Sequence, residues 1–505
     1  MPEPALAQLL PVCAALREAF DRTGYDADGV LALLGEDAHA ALGREEVTPV
    51  RRVVRDGGAL ATLVRLFLLG DTCPAAEVAA ALTPLALPAA VTAGLLEAAG
   101  AGVRAALDVR PLDTGLGSRW VVSDLDAGRG SGLDDRAYVP GVGQASVSLL
   151  RTVPTAPTGS VLDLGTGCGV QAVHAAGHAA SVTATDVSPR ALAMARATFA
   201  LNGLQVELLE GSWFEPVQGR QFDQLVANPP FVVGLAQVRN IYRDSGLDLD
   251  GASELVIRSA PPHLAPGGSA TVLASWVHVR GQDWRERVAS WVPEHGVDAW
   301  FVQRDVADPA LYVGTWLRDG GVDPRSGDGA RRSEEWLEHL ARADVDGVGF
   351  GYLSLRRTDE PSDVLAEDLQ HAYSDPLGPE VLAYLQRVAW LRSHELLDAR
   401  FTVAPSTALQ RVSVTGAHGW QQVSTRLHRG DGPAWEHEVD ELGAGLLAGM
   451  QPGGLALGEL VAMLELANNE PAGSLRAGAR AMVEGLVRHG LVLPADRDTP
   501  GCRPW

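Results

Sequence analysis

Val161-Leu162-Asp163-Leu164-Gly165-Thr166-Gly167-Cys168-Gly169 is an apolar run that breaks into three glycines spaced two apart. It reads as a buried strand feeding a glycine turn at the start of a helix. Outward from it the chain alternates strand and helix. Strands are expected over 161–164, 182–185, 206–209, 224–227, 270–275, 298–303 and 347–356. Helices are expected over 170–180, 189–202, 253–264, 284–292 and 333–342. That alternation marks a doubly wound α/β sheet.

A glycine turn after a first strand lets backbone approach a ligand with no Cβ in the way, at the N-terminus of the next helix. Alone it fits any nucleoside-binding turn. Asp186 closes the second expected strand, where a carboxylate can take both hydroxyls of a ribose. Cys168 has no base beside it in sequence and reads as a small buried filler. A second motif, Asn228-Pro229-Pro230-Phe231, follows directly on the apolar residues 225–227. Consecutive prolines fix φ, so this loop presents one amide and one rigid carbonyl. Its bland reading is a strand-ending turn with a buried phenylalanine.

Taken together, Asp163-x-Gly165-x-Gly167-x-Gly169, Asp186 and the Asn-Pro-Pro-Phe loop resemble the class I S-adenosylmethionine-dependent methyltransferases. Within that class the chain is similar to the N-methyltransferases with an (Asn/Asp)-Pro-Pro-(Tyr/Phe) loop. These are the HemK-type glutamine N5-methyltransferases, the ribosomal-RNA guanine N2-methyltransferases and the adenine N6-methyltransferases. The resemblance covers about 135–357. It implies a Rossmann-like, mostly parallel sheet with an antiparallel last strand, and S-adenosylmethionine as cofactor. It implies that Asp163, Gly165, Thr166, Gly167 and Gly169 line the methionine part, that Asp186 holds the ribose and that Val187 packs on the adenine. Ser212 and Trp213 stand where the family often has Gly-Asp beside the adenine amino group; here a serine replaces the acid. On this reading Asn228 and the Pro229 carbonyl would accept the N–H bonds of the attacking nitrogen, Pro230 would stiffen the loop, and Phe231 would stack on the substrate. Asn228 also borders the cofactor. Tyr138, Pro140 and Gln144 resemble the loop that covers cofactor and substrate, and Tyr242 and Arg243 lie where a substrate is gripped.

The length of 505 residues predicts two to four domains. Residues 1–125 read as a helical, winged-helix-like module, 133–357 as the methyltransferase domain and 358–505 as a second winged-helix-like module, with a Gly/Asp-rich linker over 124–132. Net charge is −22, spread along the chain, and all 41 basic residues are arginine. No segment is a basic module, which argues against tight, sequence-independent nucleic-acid binding. The four cysteines are scattered, so neither a disulfide framework nor a metal site is expected. No apolar run reaches membrane-spanning length, and the N-terminus lacks a signal-peptide pattern, so the expected location is cytoplasmic.

These readings predict methyl transfer to a planar amide or exocyclic amine nitrogen, while the substrate stays open. The acidic balance leans towards a protein or peptide glutamine N5. The alternative is an RNA or DNA base, at guanine N2 or adenine N6. A non-catalytic, cofactor-sensing binding protein is a second alternative. A small-molecule O-methyltransferase ranks lower, because enzymes of that kind generally lack the Asn-Pro-Pro-Phe loop.

Overall fold

Leu162 and Leu164 are buried, and they pair in parallel with Thr183 and Thr185 on one side and with Leu225 and Ala227 on the other. These pairs form the middle of an eight-stranded sheet in the computed structural model, which describes residues 6–125, 137–238 and 241–495. Its strands are β1 (Thr158–Leu164), β2 (Ala179–Asp186), β3 (Glu207–Glu210), β4 (Phe222–Ala227), β5 (Leu264–Val279), β6 (His295–Ala307), β7 (Val345–Pro361) and β8 (Asp363–Asp368). The order across the sheet is β8-β6-β7-β5-β4-β1-β2-β3. Strands β3, β2, β1, β4 and β5 are parallel to one another, and β7 runs antiparallel to both β5 and β6. The fold is therefore a Rossmann-like α/β sheet with one reversed strand. The sheet also runs past residue 357, where the sequence reading ended it: β8 pairs in parallel with β6.

The N-terminal residues pack onto this sheet's helical layer. Helices Cys13–Thr23 and Ala27–Gly43 precede a short strand (Cys73–Pro74), two helices (Ala75–Leu82 and Leu87–Thr92) and a hairpin (Leu96–Ala99 and Gly102–Ala105). A second hairpin, Asp108–Asp113 with Ser118–Ser123, lies against helix Pro189–Asn202. There Asn202 accepts from the Trp120 amide at 3.0 Å, and Thr198 Oγ1 accepts from the Val122 amide at 3.0 Å. One apolar core runs from Leu6 through Phe20, Phe67 and Trp120 to Met194 and Leu201. Asp124, expected to open a linker, is buried and ion-paired with Arg190; the rest of that expected linker, from residue 126 on, lies outside the described residues.

A second unit comprises residues 151–154 and 369–495. Helix Gly378–Ser393 supplies buried Glu380, which binds Arg387 and, at 2.7 Å, Arg429. The remainder holds a three-stranded sheet of β9 (Thr407–Gly416), β10 (Gly419–Arg429) and β11 (Glu436–Glu438), helices Glu441–Ala448, Leu457–Asn468 and Arg476–Arg488, and a two-stranded pair of Phe401–Val403 with Val492–Pro494. Among the described residues no helix is long and apolar enough to cross a membrane.

Candidate active site

Register alone brings the motifs together. Leu164 pairs with Ala227 and with Thr185, and Asp186 pairs with Glu210. Asn228, Gly165 and Asp186 therefore stand at one height at the ends of adjacent strands, about 4.8 Å apart, with Gly211 one residue further along. The chain winds outward from β1 to β3 and then returns to β4 on the far side of β1. This is the switch point at the carboxyl ends of the strands, where ligands bind in open α/β sheets.

The glycine turn is held from below. Asp163 is buried, and its Oδ2 accepts from Thr166 Oγ1 at 2.6 Å and from the Ala172 amide at 2.9 Å. Gly165 and Gly167 adopt φ of +75° and +56°, and nothing lies within 4 Å of where a Cβ would stand on either. Gly169, at φ of +94°, has a second reason to be glycine, because a Cβ there would meet Phe199 at 2.9 Å. Asp186 binds the loops on both sides: Oδ2 accepts from the Gly167 amide at 2.9 Å and Oδ1 from the Ser188 amide at 2.8 Å. Burial pushes the Asp186 carboxyl up, and those two amides pull it back. Burial also pushes the Cys168 thiol up to about 12, so it stays neutral, in keeping with a filler.

Above these turns lies a cavity of about 390 Å³, within the usual range for small-molecule sites. Among the residues expected at the site, Gly165, Thr166, Gly167, Asp186, Val187, Ser212, Trp213, Asn228, Pro229, Pro230, Tyr138, Pro140 and Tyr242 line it. Val187 is 54% exposed, an apolar platform at the mouth. The rings of Tyr138 and Tyr242 meet edge to face at 5.7 Å, joining the loops before and after the Asn-Pro-Pro-Phe motif.

Five expected residues stand elsewhere. Asp163 and Gly169 lie beneath the turn, shaping it rather than facing the cavity. Phe231 does not stack over a substrate: only 8% exposed, it packs on Phe350 and Trp316 at 5.4 and 6.3 Å and anchors the loop in the core. Arg243 turns away to the Trp316 carbonyl at 2.8 Å and to Asp244 and Asp319, tying its loop to helix Pro309–Asp319. Gln144 is exposed at the start of helix Gln144–Thr152 and is not part of the lining.

Two residues escaped the sequence reading. Ser146, on that same helix, accepts from Asn228 Nδ2 at 3.3 Å. In this arrangement Asn228 Oδ1 is left as an acceptor with no hydrogen bond to any described residue. Asp244 brings a carboxylate to the cavity wall. The pairing of Ser146 with Asn228 carried no local signal, since 82 residues separate them.

Residues 140–279 match the family described as Methyltransferase small domain. The central domain is a class I S-adenosylmethionine-dependent methyltransferase domain. Residues 22–106 and 382–494 match families described as domains of unknown function, DUF7059 and DUF7782. The ribosomal RNA small subunit methyltransferases C of Salmonella arizonae and Salmonella choleraesuis are each 37% identical over 137 residues, covering 27% of this chain and 36% of the relative. The chain thus spans about a third of the length of these relatives, and the match lies within less than a third of its own. A solved structure of the Thermus thermophilus 16S rRNA N2 G1207 methyltransferase, in complex with AdoMet and guanosine, aligns at 20% identity with a TM-score of 0.27, over 40% of this chain and 54% of that one.

The methyltransferase cavity fits S-adenosylmethionine on its own geometry. The open space above Gly165 and Gly167 admits a ligand against bare backbone. Asp186 can take the ribose hydroxyls on the remaining lone pairs of its carboxylate, Val187 offers an apolar face to the adenine, and the turn at Gly211 closes the adenine end. When bound, the cofactor supplies the electrophilic methyl group. Asn228 and Pro229 occupy the far wall, where an incoming nitrogen would stand.

Proposed function

We propose that this protein transfers a methyl group from S-adenosylmethionine to the exocyclic amine of an RNA base, guanine N2. The observation that carries the reading is the fixed amide of Asn228. With Nδ2 committed to Ser146, Oδ1 and the Pro229 carbonyl are two acceptors in one rigid corner beside the cofactor cavity. An aryl amine is a weak nucleophile because its lone pair is delocalised into the ring. Two acceptors that take its N–H bonds orient the lone pair and favour the positive charge that develops as the C–N bond forms.

The choice of RNA is supported by the rRNA methyltransferases whose sequences the domain resembles. The lean towards a glutamine amide rested on overall acidity, and none of these relatives supports it. Guanine is favoured over adenine by Asp244, because only guanine presents an N1–H beside its amino group for a carboxylate to accept. With Phe231 in the core, Tyr138 and Tyr242 offer aromatic surfaces to a flat base, while Trp213 stands at the adenine end.

The test is to incubate the purified full chain with methyl-labelled S-adenosylmethionine and cell extract, then to separate RNA, protein, DNA and small molecules. Label in RNA, recovered as N2-methylguanosine after nuclease digestion, is the expected result. Label confined to protein would restore the glutamine reading. Cofactor binding without any transfer would leave a sensing role.

A further inference from the structure

The hairpin of β9 and β10 puts apolar and aromatic side chains into solvent on both faces. Every residue from 408 to 423 is exposed. Trp420 is 77% exposed. The cross-strand register sorts the side chains. Thr415 faces Trp420, Ser413 faces Gln422 and Arg411 faces Thr425, with Val423 bulged out between them. One face therefore carries Trp420, Gln422, Thr425, Thr415, Ser413 and Arg411, because directly opposed residues and every second residue along a strand share a side.

Charge sets this hairpin apart. About one residue in eight of the chain is acidic (63 of 505), yet residues 407–429 contain no Asp or Glu and do contain Arg411, Arg426, Arg429, His418 and His428. Arg429 is committed to Glu380 and Asp431, and Arg426 to Glu436 and Glu438 on β11. Arg411 enters no ion pair among the described residues. It lies on the Trp420 face, four residues along β9 from Trp420's cross-strand partner, or roughly 13 Å. An indole that can take a base on its plane, an arginine for phosphate and a row of hydroxyls and amides form the composition of a single-strand nucleic-acid platform. A protein-docking edge would be apolar at its centre; here the apolar Val412 and Val414 occupy the opposite face, Leu409 stands on the Trp420 face only beyond Arg411, at the end away from the indole, and the bulge twists the edge.

We infer that the β9–β10 hairpin is a binding arm for single-stranded RNA, using Trp420 as a stacking platform and Arg411 as a phosphate contact. The inference rests on the RNA reading above for the identity of the polyanion. It accounts for how an acidic chain with no basic domain holds such a substrate.

The test is fluorescence anisotropy of the full chain with a labelled single-stranded RNA oligonucleotide of mixed sequence, across a salt series. Trp420→Ala should weaken binding about tenfold, and Trp420→Phe should restore most of it. Arg411→Ala should flatten the slope of log affinity against log salt by about 0.7, the value for one lost contact to a single strand. Both side chains stand in solvent, so thermal melting and S-adenosylmethionine affinity should stay at wild-type values. Wild-type affinity and salt slope in all three variants would overturn the inference, whether or not the protein methylates RNA. Loss of self-association or of a protein partner with RNA affinity intact would also overturn it, in favour of a protein-docking role. Weakened RNA binding in a protein that never methylates RNA would support the arm and count against the proposed reaction alone.

Discussion

Ser146→Ala probes the site most finely, because it changes a residue that need touch neither cofactor nor substrate to matter. The substitution removes the acceptor for Asn228 Nδ2 at 3.3 Å and leaves the Ser146 backbone carbonyl bonded to Gln171 Nε2 at 2.8 Å, so helix Gln144–Thr152 keeps its tether. The freed carboxamide can turn over and present NH2 where an acceptor is needed. One neutral hydrogen bond of this length is worth about 1 kcal/mol, so kcat should fall roughly fivefold. The affinity for S-adenosylmethionine, measured by calorimetry, should not move. Ser146→Thr keeps the hydroxyl and should recover most of the rate. Asn228→Ala removes the acceptor itself and should cost on the order of a hundredfold or more in kcat, as loss of an oriented transition-state group does. The double variant decides the argument. If Ser146 acts only through Asn228, adding Ser146→Ala to Asn228→Ala should slow the enzyme no further. A second fivefold loss on that background, or wild-type kcat in Ser146→Ala, would refute the positioning role.

Three other outcomes follow from the same geometry. Asp186→Ala removes the acceptor for the Gly167 and Ser188 amides as well as the expected ribose contact, so calorimetry should show cofactor affinity weakened tenfold or more, with the fold retained. Burial pushes the Asp163 carboxyl up to about 7, against an ordinary value near 4, and its Oδ1 is buried without a partner. The folded state thus holds a proton that the unfolded chain releases, and stability attributable to Asp163 is lost as pH rises from about 4 through about 7. Chemical denaturation should show the wild type losing stability relative to Asp163→Asn across that window, and parallel curves would contradict it. Tyr312→Phe strips the acceptor from the buried Val233 amide, bonded at 2.7 Å just beyond the catalytic loop. It should destabilise the protein by about 1–3 kcal/mol in denaturant melts and lower kcat as the loop loosens.

The legible parts of this molecule are those encoded by short-range pattern. The glycine turn, Asp186 and Asn228 could be placed together because each ends a strand, and register in a parallel sheet then sets them at one height. Strand β8 escaped notice because its residues, Asp363-Val364-Leu365-Ala366-Glu367-Asp368, are half-buried at a sheet edge and begin and end with acids, which hides the apolar pattern. Residues 408–427 carry only a weak strand pattern, because an exposed pair with a bulge at Val423 has no buried face to impose one. Phe231 shows a different limit. Its sequence position says that an aromatic ring follows the prolines, but which side of the loop it occupies depends on Trp316 and Phe350, some 85 and 119 residues on. Ser146 and Arg243 likewise acquire their roles only from partners on distant elements.

Methyl transfer requires the corner formed by Asn228 and Pro229 to deliver a base amine to the methyl donor. The most direct measurement is nucleoside mass spectrometry of RNA treated with S-adenosylmethionine carrying a deuterated methyl group, using wild type and Asn228→Ala side by side. The account predicts deuterated N2-methylguanosine from the wild type and its near-complete loss in the variant, with cofactor binding equal in the two. Equal label from both proteins, or label on another atom or molecule, would contradict it.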